Sequence, residues 1–115
     1  IWTKNENPFI MFGIYLKSYD EIIKIIESCE SINEVIIYGS RAKGNSREGS
    51  DIDFTIMGSV TEKDFSKFWH DLDESYIPYK FDISIYDNLK SESLKDHINR
   101  VGKIFYKRNT ETISE

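Results

Sequence analysis

Tyr38-Gly39-Ser40-Arg41-Ala42-Lys43-Gly44, a polar run, and then Ser50-Asp51-Ile52-Asp53-Phe54 decide how this chain is read. The apolar segment Val35-Ile36-Ile37-Tyr38 runs straight into the Gly-Ser pair, and Phe54-Thr55-Ile56-Met57 continues from the carboxylates. Both segments read as strands. Successive strand side chains point to opposite faces, so Asp51 and Asp53 share one face and Ile52 takes the other. Two adjacent carboxylates repel each other unless a positive charge stands between them, and a hard divalent cation with oxygen ligands supplies one. A small turn beside them exposes backbone N–H groups that can hold phosphates. Together the two features point to magnesium-dependent chemistry on a nucleotide.

Outward from this stretch, helical and extended segments alternate. Residues 19–30 carry Ile22, Ile25 and Ile26 on one helical face, with Ser18 or Asp20 placed to cap the start. The polar, glycine-containing run 39–49 is a loop or a short helix. Thr61-Glu62-Lys63-Asp64 has the capping-box spacing, and Phe65, Phe68, Trp69 and Leu72 follow as an apolar stripe expected in the core. Residues 79–86 alternate as a third strand, with Phe81, Ile83 and Ile85 on one face and Lys80, Asp82 and Ser84 on the other. Leu94, Ile98, Val101, Ile104 and Phe105 give residues 91–107 a helical periodicity, read as one or two helices. The expected fold class is α/β (α+β), a small mixed sheet packed against helices. A single domain is expected over residues 1–115. Residues 1–10 read as an upstream extension ahead of Met11, or as a packed segment through Trp2, Phe9 and Ile10. Residues 109–115 read as a frayed polar tail.

Asp82 joins the two features into one site. Packing explains poorly a carboxylate in mid-strand opposite Phe81 and Ile83. If the third strand lies beside the second, Asp82 approaches Asp51 and Asp53. Three carboxylates in one cleft can hold two metal ions for in-line nucleotidyl transfer. Asp82 then suits the base that activates an acceptor hydroxyl, or a ligand of the metal that does so. Gly39 and Ser40 suit the phosphates, and Arg41 and Lys43 the neutralisation of the phosphate tail. Taken one at a time these signals are weak. An Asp-x-Asp at a strand end is commonly solvated, a Gly-Ser is commonly a turn, and Arg41, Lys43 and Arg47 read as a solvated loop. Their joint spacing carries the assignment. Two rival motifs fail. Gly39 and Gly44 have Walker spacing, but Asn45 stands where the lysine is needed. A calcium loop starting at Asp51 needs Gly at its sixth position, where Ile56 stands. His70 and His97 are isolated, and Cys29 reads as a small core residue.

Composition narrows the class. A net charge of −5 over 115 residues argues against direct nucleic-acid binding, which draws on excess Lys and Arg. The longest apolar runs are too short for a membrane span. The first residues lack the basic start and apolar core of a secretory leader, and one cysteine excludes an internal disulfide, so a cytoplasmic protein is expected. Tyr15, Tyr19, Tyr76, Tyr79, Tyr86 and Tyr106 are many tyrosines for a small core, and some are candidates for a partner surface.

On Gly39-Ser40-Arg41-Ala42-Lys43-Gly44, Ser50-Asp51-Ile52-Asp53-Phe54 and Phe81-Asp82-Ile83-Ser84-Ile85, the chain resembles the polymerase-beta-like nucleotidyltransferase superfamily. Its short length and the segment Arg100 to Tyr106 resemble the minimal nucleotidyltransferases (MNT). The likeness covers roughly residues 19 to 107 and is specific for the superfamily, less so for the substrate. It implies the nucleotidyltransferase fold, Mg²⁺ at Asp51, Asp53 and Asp82, and ATP held through Gly39 and Ser40. It also implies an antitoxin whose partner is a toxin of the HEPN class, an all-helical RNase silenced by transfer of AMP onto a tyrosine. Two alternatives stay open. The chain neutralises its partner by contact alone, or it modifies a small molecule such as an aminoglycoside, for which a homo-oligomer could complete the acceptor pocket.

Overall fold

The computed structural model describes residues 12–47 and 49–108. The expectations for residues 1–10 and 109–115 lie outside the described residues. The elements run α1 (Leu16–Glu27), β1 (Glu34–Tyr38), α2 (Ser40–Lys43), β2 (Ile52–Met57), α3 (Glu62–Glu74), β3 (Phe81–Ile85), α4 (Glu92–Val101) and β4 (Lys103–Lys107), with a 3₁₀ turn at Tyr86–Asn88. The strands form one mixed sheet in the order β3-β2-β1-β4. β1 pairs antiparallel with β2 and with β4, while β2 and β3 are parallel and joined through α3.

Alternation along the strands divides the sheet into two faces. Val35, Ile37, Ile52, Phe54, Ile56 and Phe105 point to one face and are buried there with Ile22 and Ile26 of α1 and Phe68 and Leu72 of α3. Phe54 is the hub: its ring lies 4.7 Å from Phe105, 6.1 Å from Phe81 and 6.2 Å from Phe68. Helix α3 is fixed at its start by Thr61, whose hydroxyl accepts from the Asp64 N–H at 3.1 Å. Asp64 completes the cap differently from the capping-box expectation. Its carboxylate accepts from the Ser31 N–H at 2.8 Å, tying α3 to the turn before β1. Hydrogen bonds from Ser31 hold that carboxyl below its usual range.

Three local expectations are corrected. Residues 103–107 form a strand and not a continuation of the last helix. The helix stops at Gly102, whose N–H closes on the Ile98 carbonyl at 2.8 Å, and the next residues pair with β1. Helix α1 starts at Leu16 with no side-chain cap, and Ser18 lies buried inside it. Its start is anchored by tertiary contact, with Ile14 fully buried and the Tyr15 N–H donating to the Tyr79 hydroxyl at 3.1 Å. Trp69 leaves the α3 stripe and is 51% exposed, whereas Phe68 and Leu72 are buried and Phe65 packs partly buried against the core. Of the two forms expected for the run after Gly39, it begins as the short helix α2. Cys29 is buried as expected, and burial pushes its thiol above the ordinary value.

Candidate active site

The site lies on the other face of the sheet, and strand register builds it. Asp53 of β2 stands opposite Asp82 of β3 and, across the other edge, opposite Tyr38 of β1. Asp51 stands just before β2, where the Ile52 N–H donates to the Lys80 carbonyl at 2.8 Å and fixes the entry of the strand beside β3. The expected juxtaposition of Asp53 with Asp82 is therefore present in the backbone. Asp82 and Asp51 are exposed, and Asp53 is half-buried.

Electrostatics mark Asp53 as the crowded member. Its carboxyl is pushed up to about 6, first by burial, then by Asp82 and Asp51, with Arg41 acting in the opposite direction. Two like charges and partial desolvation both disfavour the ionised form. Among the described residues no three His, Cys, Asp or Glu side chains converge as a ready-made metal cage. The donor set nevertheless fits a hard cation. It consists of carboxylate oxygens only, from exposed Asp51 and Asp82 and half-buried Asp53, whose carboxyl is crowded by like charge.

Gly39 is bound to this cluster by space. Its φ of 77° and ψ of −154° belong to a region open essentially to glycine alone. A Cβ there would lie 2.5 Å from Asp53 Oδ2. The Gly-Ser turn and the second aspartate of the Asp-x-Asp thus touch, a contact that sequence spacing alone leaves unresolved. Ser40 opens α2 next to this contact, and the first N–H groups of a helical turn lack partners within it. Lys43, in the same turn, is exposed.

Arg41 departs from its expected place. It is 2% exposed, and its guanidinium donates to the carbonyls of Phe12, Gly13, Ser50 and Asp51. It sits behind the Asp51 backbone and does not face solvent beside Lys43. Tyr38 was absent from the sequence-based set. It is buried on the carboxylate face, with its phenol pushed above the ordinary value by burial and then by Asp82. His97 of α4 meets its ring edge-on at 6.1 Å. The signal was available in the alternation Ile36, Tyr38, but it needed the β1–β2 register to become a site residue.

Concavities among the described residues lie elsewhere. Three adjoin the connection 75–80, one of them between α3 and β3 and lined by Trp69, Leu72, Phe81 and Ile83. The carboxylates stand outside these hollows. Among the described residues no helix is long and apolar enough to cross a membrane.

Residues 20–111 match the family described as Polymerase beta, Nucleotidyltransferase. The chain belongs to that family. No curated protein matches it. A chain from a toxin-antitoxin complex with AMP-PNP is 18% identical with a TM-score of 0.61, over 78% of this nucleotidyltransferase chain and 73% of that one. A chain from a mutant MntA-HpeT toxin-antitoxin complex, with two aspartates at i and i+2 changed to glutamate, is 15% identical with a TM-score of 0.58, over 78% and 73%. A chain from the complex of a tri-AMPylated Shewanella oneidensis HEPN toxin with MNT antitoxin is 16% identical with a TM-score of 0.50, over 80% and 71%. At these identities the likeness is one of fold.

Proposed function

We propose that this nucleotidyltransferase is an antitoxin that uses Mg²⁺ and ATP to transfer AMP onto a hydroxyl, a tyrosine, of a partner toxin of the HEPN class in the cytoplasm. The observation that carries the reading is the cross-strand pair Asp53–Asp82, with Asp51 two residues upstream and the Gly39 turn against Asp53. The fold neighbours support the biological setting. One is a toxin-antitoxin complex with AMP-PNP, and another holds a tri-AMPylated HEPN toxin. A third carries changes at two aspartates with the spacing of Asp51 and Asp53.

Asp51, Asp53 and Asp82 would hold the metal. Bound there, Mg²⁺ lowers the pKa of the attacking hydroxyl and offsets charge developing at phosphorus. The chain's own residues do the rest. Ser40 and the backbone N–H groups after Gly39 hold the phosphates, and exposed Lys43 balances their charge. Asp82, at the sheet edge and open to solvent, receives the proton of the acceptor hydroxyl. The hydroxyl oxygen bonds to the α-phosphorus, the α–β bridging P–O bond breaks, and pyrophosphate leaves with that bond's electrons. The open surroundings of Asp82 suit an acceptor brought by another protein.

The test is transfer from α-labelled ATP by wild type and by Asp51→Asn with Asp53→Asn. We expect label on the toxin with wild type and none with the double variant, at unchanged folding. Full transfer by the variant removes the metal assignment. A second reading, neutralisation by contact alone, draws on exposed aromatic side chains: Tyr76 is 99%, Tyr15 54% and Trp69 51% exposed. It is favoured if the double variant still protects cells at normal expression.

A further inference from the structure

Arg41 is held more tightly than a phosphate-binding arginine needs to be. Nε donates to the carbonyls of Ser50 at 3.2 Å and Asp51 at 3.3 Å, and Nη2 to Ser50 at 2.7 Å. On the other side Nη1 donates to the carbonyls of Phe12 at 3.2 Å and Gly13 at 2.9 Å. The guanidinium carbon lies 4.9 Å from the ring centre of Tyr79. Swinging this group out to an anion would give up all five of these hydrogen bonds at once. The planar fork of arginine makes five bonds to two separate backbone segments, more than the three donors of an ammonium can supply. One of those segments is the backbone from which the Asp51 side chain projects.

We propose that Arg41 is the positioning residue for Asp51: its guanidinium braces the Ser50–Asp51 backbone against Phe12 and Gly13, so that the Asp51 carboxyl stands beside Asp53 and Asp82 for a divalent cation. This rests on the nucleotidyl-transfer reading. Arg41 works through another residue and touches no reacting atom. Partners that orient metal ligands typically change metal affinity or activity about 10–100-fold when removed.

The brace can be disturbed from both sides. Arg41→Lys keeps the charge but cannot span both pairs of carbonyls. Gly13→Ala leaves Arg41 in place, yet its Cβ would lie 2.9 Å from Nη1 and 2.8 Å from Ser46 Oγ, at a φ of +73°. Wild type and both variants are titrated with Mn²⁺ by electron paramagnetic resonance in the presence of AMP-PNP, and their amide hydrogen exchange is measured. We expect Mn²⁺ affinity to fall about tenfold in both variants. Exchange should quicken at residues 50–52 while β1 and β4 keep their protection. Unchanged Mn²⁺ affinity in both variants overturns the inference, as does quickened exchange across the whole sheet. Weaker AMP-PNP binding at saturating, undiminished Mn²⁺ affinity also overturns it, by returning Arg41 to the phosphates. If Arg41→Lys does not fold, Gly13→Ala decides alone. A wild type that binds no Mn²⁺ removes the functional reading and the inference together, whereas metal-binding wild type with insensitive variants removes only the inference.

Discussion

Phe54 and Asp53 are neighbours on one strand and belong to opposite kinds of surface. Phe54 is fully buried among three other phenylalanine rings. Asp53 turns the other way, toward Asp82 and Tyr38, and carries a carboxyl pushed to about 6. One face of the sheet is cohesive, and the other gathers groups that repel. The contrast teaches where each kind of free energy is placed. Stability comes from apolar burial under α1 and α3, and the like-charge crowding across the sheet serves folding poorly but suits a cation.

The largest separation of the two faces comes from opposite substitutions. Asp51→Asn with Asp53→Asn should lower AMP transfer by on the order of a thousandfold or more, about 4 kcal/mol of transition-state stabilisation, while thermal unfolding stays near wild type. Phe54→Ala should do the reverse in kind. It removes the hub of the aromatic cluster and should cost about 3–5 kcal/mol of unfolding free energy, read by denaturant titration. A double aspartate variant that unfolds, or a Phe54→Ala protein of ordinary stability, would erase the division between the faces.

Gly39→Ala probes the seam between them. Its Cβ would press on Asp53 Oδ2, and its φ of 77° is strained for any L side chain. We expect about 1–3 kcal/mol of lost stability from the backbone. Displacement of Asp53 should add a fall in transfer, read as kcat from initial rates at saturating ATP. A variant with lowered stability and full kcat would show that the turn supports the fold without setting Asp53.

Much of this was legible in the sequence because it is local. The alternation in 34–38, 51–57 and 79–86 placed the strands, and the polar position of Asp82 named the third carboxylate before any pairing was known. What was missed depends on partners distant in the chain. Residues 103–107 continue a helical apolar period, and only the free edge of β1 turns them into a strand. Trp69 fits the α3 stripe by spacing, yet Phe65, Phe68 and Leu72 take the core side of the helix and leave Trp69 half exposed. Arg41 looks like a solvated loop charge beside Lys43 until the carbonyls of residues 12–13 and 50–51 are brought around it. Tyr38 needed the β1–β2 register to become part of the site.

The smallest effect follows from the titration of Asp53. Its folded pKa of about 6 is above the unfolded value, so the folded protein keeps this proton where the unfolded chain has released it. The sign is then fixed: the contribution of this group is fully present below about pH 4 and is lost as pH rises through about 6. In metal-free protein the melting temperature of wild type should therefore decline between those values relative to Asp53→Asn. Solvent screening of a half-exposed group should keep the difference below about 1 kcal/mol. On the proposed reading Mg²⁺ should reverse the trend, by binding the carboxylate in competition with the proton. Its addition should raise the melting temperature above about pH 7 and do little near pH 5. Among the described residues the buried Phe54 cluster holds no carboxyl, so Phe54→Ala should shift the whole profile without changing its shape. If wild type and Asp53→Asn melt in parallel across this range, solvent has relieved the crowding, and the two faces differ in polarity but not in stored repulsion.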